Sequence, residues 1–297
     1  MSVKCYETVY KNYGKCICLE NGKIRLIATV EVGPRIIFFG FCNGENVLFE
    51  DIDRNFYILN RNYGVWYAYG GHRLWLAPEE IPETYFPDNS KVAVDFKSNI
   101  LTLTAEKTAF GKQFSIVCKM SDDGYCVEIE NRIANLSGKP AKFAPWSVTG
   151  LAPGGTEIIP LCSTDKGFLP NRTMALWSYS EIDDKRFALK DKYALLRQDA
   201  SKANPFKVGF NVTSKQIAYI LGKQILKVSF DDYQNVNYPD FCCNFETYTN
   251  NLFLECEILG EERVYHPSET ATLTEKWELI PAEQNEQQII DEYIRTL

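Results

Sequence analysis

Apolar and polar residues alternate with a period of two along most of this 297-residue chain, in short runs separated by turn residues. That period belongs to strands with one buried face, and it leaves little of the chain for helices. Lys15 to Leu19, Lys23 to Val30 and Arg35 to Phe41 read as three strands. The first turn, Glu20-Asn21-Gly22-Lys23, centres on Asn-Gly, which tolerates the positive φ of a tight hairpin. Ile100 to Lys107 is a further strand, and Phe114 to Met120 pairs with Tyr125 to Ile133 across Ser121-Asp122-Asp123-Gly124. More strands follow at Glu157 to Leu161, Val208 to Asn211, Ile217 to Leu221, Ile225 to Phe230, Leu252 to Leu259 and Thr270 to Leu279. Helical spacing occurs twice: one short turn over Ala175 to Tyr179, and the tail Pro281 to Leu297, where Ile289, Ile290, Tyr293 and Ile294 share a face. So many strands exceed what one sheet carries comfortably, so the expectation is an all-β fold: two large antiparallel sheets facing each other, with a short C-terminal helix. No repeat, linker or composition break divides residues 1–297, which implies a single β-sandwich domain.

The net charge of -7 and the absence of a basic run argue against nucleic acid, whose phosphates such a surface repels. No apolar run approaches membrane-spanning length, and Met1 to Tyr10 lacks the basic start and apolar run of a signal peptide, so the expected location is cytoplasmic, with no membrane partner. Ten cysteines without an export signal read as free thiols, mostly small buried hydrophobes. With two histidines and no C-x-x-C pair, a metal site is not expected.

Three stretches can carry chemistry. Gly70-Gly71-His72-Arg73-Leu74-Trp75-Leu76-Ala77-Pro78-Glu79 follows the aromatic run Trp66-Tyr67-Ala68-Tyr69. It combines backbone freedom, an imidazole that titrates near neutrality, a planar guanidinium and an indole; it reads either as a site or as a turn whose His72 and Arg73 cap loop carbonyls. Tyr238 to Asn250 mixes amide, carboxylate and hydroxyl groups with rings, which suits a polyol; it also reads as a polar loop leading into a strand. In the run Leu252 to Leu259, alternation sends Phe253, Glu255 and Glu257 to one face and Leu254, Cys256 and Ile258 to the other. The two carboxylates then lie about 6.6 Å apart, close enough to raise the proton affinity of one of them; ordinary glutamates on a solvated face are the plainer reading. His266, in the turn Tyr265-His266-Pro267-Ser268-Glu269-Thr270, reads as structural.

Three segments, in order and spacing along the chain, resemble the galactose mutarotase-like superfamily, which includes the aldose 1-epimerases. They are Cys126 to Pro140, similar to the family's central strand with its Asn-x-Ser-x-x-Pro turn; the Glu255-Cys256-Glu257 strand; and His266 to Thr270 with Thr274 to Leu279, similar to the closing turn and strand. Gly70 to Glu79 and Asn244 to Asn250 resemble a bacterial branch of that group. The resemblance implies a supersandwich of two large antiparallel sheets with a sugar cleft on one of them.

It also implies roles. The family inverts the anomeric carbon of aldoses: a late-strand glutamate takes the anomeric proton and a histidine protonates the ring oxygen. Matching the strands puts Glu257 at the base position, with Glu255 as its alternative two residues away. The family's histidine would fall in Phe143 to Gly150, which contains none; Trp146 can stack on a sugar there, and His72 becomes the candidate acid. Arg73, Trp75, Trp146, Asn244, Glu246 and Tyr248 are the expected substrate contacts, with no metal or organic cofactor. Two other classes remain open at this level: a non-catalytic sugar sensor or binding module, and a glycoside hydrolase using the glutamate pair.

Overall fold

The computed structural model describes residues 2–231 and 236–296. Among them, strands assemble into an eleven-stranded and a ten-stranded sheet, with a separate ribbon formed by Tyr57–Asn60 and Gly64–Tyr67. The first sheet runs, in spatial order, Lys4–Val9, Lys15–Glu20, Ile24–Thr29, Ile36–Phe41, His72–Ala77, Ala141–Leu151, Leu254–Leu259, Phe245–Thr249, Phe206–Phe210 and Met174–Leu176, with Arg263–Tyr265 alongside one end of Ala141–Leu151. Its central strand, Ala141–Leu151, pairs antiparallel with His72–Ala77 on one side and Leu254–Leu259 on the other. The second sheet is built around Thr270–Pro281, flanked by Cys126–Asn135 and Gln224–Phe230.

The alternation that suggested strands is what joins the sheets. One residue in two, including Leu26, Phe39, Phe206, Leu254 and Ile258 from the first sheet and Ile116, Ile129, Leu226 and Trp277 from the second, enters one continuous apolar core. Each such side chain contributes about 1.5–3 kcal/mol when fully buried. The expected all-β fold with two large antiparallel sheets is therefore the one found. The tail forms the helix Glu286–Arg295; Asn285 accepts from the amide of Gln288, whose side chain accepts in return from the Asn285 amide. Ile289 and Ile290 pack from it onto Ile158, Leu195 and Ala218.

Two local expectations are corrected. Ala175 to Tyr179 does not turn into helix: Met174–Leu176 is an edge strand, with Ala175 opposite Gly209, because the Phe206–Phe210 strand offers it hydrogen-bonding partners. The stretch after Gly71 is no turn either: His72–Ala77 is an interior strand. Gly71, at φ +68°, makes this possible, since a Cβ there would run into the carbonyl oxygen of Ile36.

The core also contains an ionisable group. Glu157, opposite Tyr219, is fully buried, and neither carboxyl oxygen meets a donor at bonding geometry among the described residues. Burial pushes its carboxyl up to about 8, with Thr247 and Cys256 offsetting part of the shift. A carboxyl whose pKa is raised on folding stabilises fully below its ordinary 4.5 and loses that contribution as pH climbs through its folded value. Glu157→Gln should therefore flatten the fall in unfolding free energy between pH 5 and 8, which for one proton is at most about 1.4 kcal/mol per pH unit. Denaturant unfolding at several pH values, with an unchanged slope in the variant, would remove Glu157 as the cause.

Candidate functional site

Strand register decides which side chains meet. Val148 lies opposite Arg73 on one neighbour and opposite Glu257 on the other, and Glu257 lies opposite Glu246. Directly opposed residues share a face, so Arg73, Val148, Glu257 and Glu246 form one row across four strands, on the side away from the inter-sheet core. A parallel row contains Gly150, Glu255, Tyr248 and Lys207, and Trp75 sits opposite Trp146 on the same face. This brings Arg73, Trp75, Trp146, Glu246, Tyr248, Glu255 and Glu257 together, from four strands.

Lys207 is the residue around which they gather. Its Nζ lies 2.7 Å from Glu246 Oε2 and 2.9 Å from Glu257 Oε2. It sits over the rings of Trp146, at 4.7 Å, and Trp177, at 4.6 Å. Trp146 Nε1 donates to Glu257 Oε2 at 2.9 Å. Gly209, opposite Glu246, leaves room for this crowding: a Cβ there would press against Cys243 Sγ and Glu246 Cγ. One row along, Arg73 Nη2 donates to Glu255 Oε1 at 2.9 Å, its guanidinium 4.0 Å from the Trp75 ring and 5.3 Å from that of Trp66. Four of the five tryptophans, Trp66, Trp75, Trp146 and Trp177, thus surround these charges.

The charges do not balance within the cluster. Glu246 and Glu257 are 1% exposed and Lys207 is 7% exposed, so two carboxyls share one ammonium almost out of water. Burial raises both carboxyls above the ordinary carboxylate range, and the ammonium offsets only part of that rise. Burial alone would depress Lys207, but the two carboxyls outweigh it and hold the ammonium charged. A pair of this kind takes up a proton as a unit, giving one carboxylate and one carboxylic acid side by side. Glu246 Oε1, buried and without a partner, is open to that proton.

His72 is elsewhere. Being one residue from Arg73 on a strand, it points the opposite way, into the core, and is 0% exposed. Its Nε2 lies 2.9 Å from Asn131 Oδ1, and its Nδ1 lies 2.9 Å from Thr149 Oγ1. Asn131 donates its amide to Glu275 Oε1, and the Trp277 indole donates to Glu275 Oε2. Because the amide nitrogen of Asn131 is already donating, its oxygen accepts, so Nε2 of His72 carries the proton and Nδ1 accepts from Thr149. Burial lowers the imidazole's pKa, with Glu275 offsetting part of that, so His72 is a neutral clasp between the sheets and does not reach the face that carries Lys207. Asn244 is also structural: its side chain accepts from the Val212 amide and donates to the Val212 carbonyl. His266 is exposed in its turn, its backbone amide donating to Glu269.

Lys207 and Trp177 escaped the sequence reading, and Trp66 entered it only as part of the aromatic run before Gly70. The available signal for Lys207 was one cation inside the apolar run Phe206-Lys207-Val208-Gly209-Phe210. No group of three His, Cys, Asp or Glu suited to a metal occurs among the described residues, and no described helix is long and apolar enough to cross a membrane.

No family model matches the sequence, and no curated protein matches it. Solved structures do share the fold. A putative aldose 1-epimerase from Klebsiella pneumoniae superposes with a TM-score of 0.60 at 10% identity, over 98% of this chain and 87% of its own. Slr1438 from Synechocystis gives 0.58 at 12% identity, over 94% and 96%. Galactose 1-epimerase from Lactobacillus acidophilus gives 0.54 at 14% identity, over 95% and 100%. The chain therefore has the galactose mutarotase-like fold.

Two expected outcomes follow from this geometry. Lys207→Met strands two buried carboxyls and should destabilise the protein by about 3–5 kcal/mol, with Glu246→Gln in the same background restoring part of the loss. Unfolding titrations of the single and double variants check this; a Lys207→Met protein as stable as the parent contradicts the cluster. His72→Ala should cost about 1–3 kcal/mol by leaving Asn131 and Thr149 unpaired. It should also remove a pH effect. A histidine depressed on folding gives stability above its ordinary 6.5 that is lost as pH falls below it, so the parent weakens on acidification and the variant does so less.

Proposed function

We propose that this chain binds an aldose in the cleft over Lys207 and interconverts its anomers by proton transfer. The observation that supports this reading most is the buried Glu246–Lys207–Glu257 cluster, two carboxyls on one ammonium, on the same sheet face as Arg73, Trp75 and Trp146. Solved structures of the same fold include galactose 1-epimerase and putative aldose 1-epimerases.

In this reading Glu257 is the base. Trp146 and Lys207 both meet its Oε2, which leaves Oε1 to take the anomeric hydroxyl proton. Glu246, protonated on Oε1, gives a proton to the ring oxygen. The two oxygens concerned are bonded to the same carbon, so an acid and a base on neighbouring strands are spaced to serve both. The ring C–O bond breaks as the aldehyde forms, the aldehyde end rotates, and the reverse transfers close the ring. Lys207 stays charged throughout and keeps the cluster's net charge constant. Arg73 and Glu255 supply donors and acceptors to the sugar hydroxyls, and Tyr248 and the indoles of Trp75 and Trp146 face its C–H edges. Trp177, over the ammonium, is displaced when the sugar enters. No metal or organic cofactor has a step in this scheme.

A specific observation favours a second reading, a sugar binder without catalysis: Glu257 is itself 1% exposed. Exchange NMR on a panel of aldoses separates the two. The catalytic reading expects the protein to accelerate anomer exchange, and Glu257→Gln or Glu246→Gln to lose about 10²–10⁴ of that acceleration. The pH profile should be bell-shaped, since the pair must hold one proton. Saturable binding with no change in exchange gives the second reading; neither effect on any sugar overturns both.

A further inference from the structure

We infer that the protein has a second small-molecule site, a cavity of 390 Å³ along the open edge of the His72–Ala77 strand, which takes a neutral polyhydroxylated ring such as a saccharide unit. The cavity shares Arg73 and Trp75 with the proposed sugar site, but none of its lining belongs to the Glu246–Lys207–Glu257 cluster. The Ile36–Phe41 strand pairs with His72–Ala77 only through Ile36 and His72, and from Arg73 onward the two diverge. The gap is bounded by the segments around Pro34, Glu83 to Ser90 and Ala105 to Thr108. Its volume falls within the range of ligand pockets, roughly 300–1,000 Å³. Five of its lining residues, Leu76, Glu83, Thr84, Lys107 and Thr108, also border a wider 820 Å³ hollow, which gives a way in.

Two polar atoms on residues lining this space are buried and lack a hydrogen-bond partner: Nε of Arg73 and Oδ1 of Asp88. Arg73 is 5% exposed. An unsatisfied buried polar atom costs about 1–3 kcal/mol, so two on one cavity mark a place where a partner belongs. Their charges are already matched. Arg73 is paired with Glu255, Asp88 with the buried Arg35 at 2.8 Å, and Glu83 with Lys112 at 3.6 Å. What remains is hydrogen-bonding capacity without net charge: one donor on Arg73 and one acceptor on Asp88. A neutral molecule with several hydroxyls supplies both kinds, whereas an anion or a cation would bring an uncompensated charge into a buried space. Trp66, Trp75, Tyr63 and Phe86 add flat apolar walls of the kind that cover C–H faces.

The test is a calorimetric titration of the full chain with D-glucose, D-galactose, lactose and myo-inositol, repeated on two cavity-filling variants and one cleft variant. Ala105→Trp fills the cavity from within; Ser90→Trp does so from an exposed position, should the first fail to fold. Glu257→Gln disables the cleft. The expected result is a polyol site whose Kd rises at least tenfold in either cavity-filling variant and is unchanged in Glu257→Gln, while anomer exchange is unaffected by filling the cavity. Gluconate and glucosamine should bind this site at least tenfold more weakly than glucose. Sugar binding lost only in Glu257→Gln overturns the second site and leaves the cleft reading standing. Binding lost only in the cavity-filling variants supports the second site and counts against the cleft. No polyol bound, equal binding of the charged analogues, or ordered water alone in the cavity of a sugar-soaked crystal overturns the proposal.

Discussion

A single ammonium lets this sheet place two carboxyls directly opposite each other. Glu246 and Glu257 face one another across neighbouring strands, where like charges repel at close range. Lys207 comes from the next strand and the adjacent row, and reaches over the gap that Gly209 leaves. The indoles of Trp146 and Trp177 close over it, strengthening the attraction by excluding water. The neighbouring side chains on this face are arranged around this centre, with the Trp146 indole fixed against Glu257 and Arg73 fixed against Glu255.

One interior strand serves two separate polar systems. Odd positions, Arg73 and Trp75, join the row of charges and rings on the outer face; His72, between the glycines and Arg73, builds a hydrogen-bonded chain through Asn131 to Glu275 in the other sheet. The first system retains ionisable groups in partial imbalance. The second is neutral at the imidazole and satisfied on both ring nitrogens. Adjacent residues with similar chemistry therefore have unrelated duties, separated by the thickness of a sheet.

That separation explains what was legible in the sequence. Period-two alternation gave the sheets, and helical spacing at Ile289 and Ile290 gave the terminal helix, because burial on one face imposes both patterns. It also placed Glu255 and Glu257 on one face. The segment from Gly70 to Glu79 misled, because the paired glycines suggest a turn while they serve a close backbone approach at the start of a strand. Once that stretch is a strand, His72 and Arg73 cannot share a face. Asn244 misled through its composition, since an amide that clamps Val212 has the same chemistry as one that grips a hydroxyl. Lys207 and Trp177 were hidden for a different reason: their roles come from pairing between strands more than thirty residues apart, and no local pattern announces such a pairing.

Trp177 follows Met174–Leu176, a three-residue strand at the outer border of the sheet, held by one neighbour. The other indole against the ammonium, Trp146, belongs to the eleven-residue strand at the sheet's centre. Border strands of this length detach at far lower free energy than central ones. The cover over the Lys207 ammonium is thus held on one side by a short border strand with a single neighbour and on the other by the middle of the sheet.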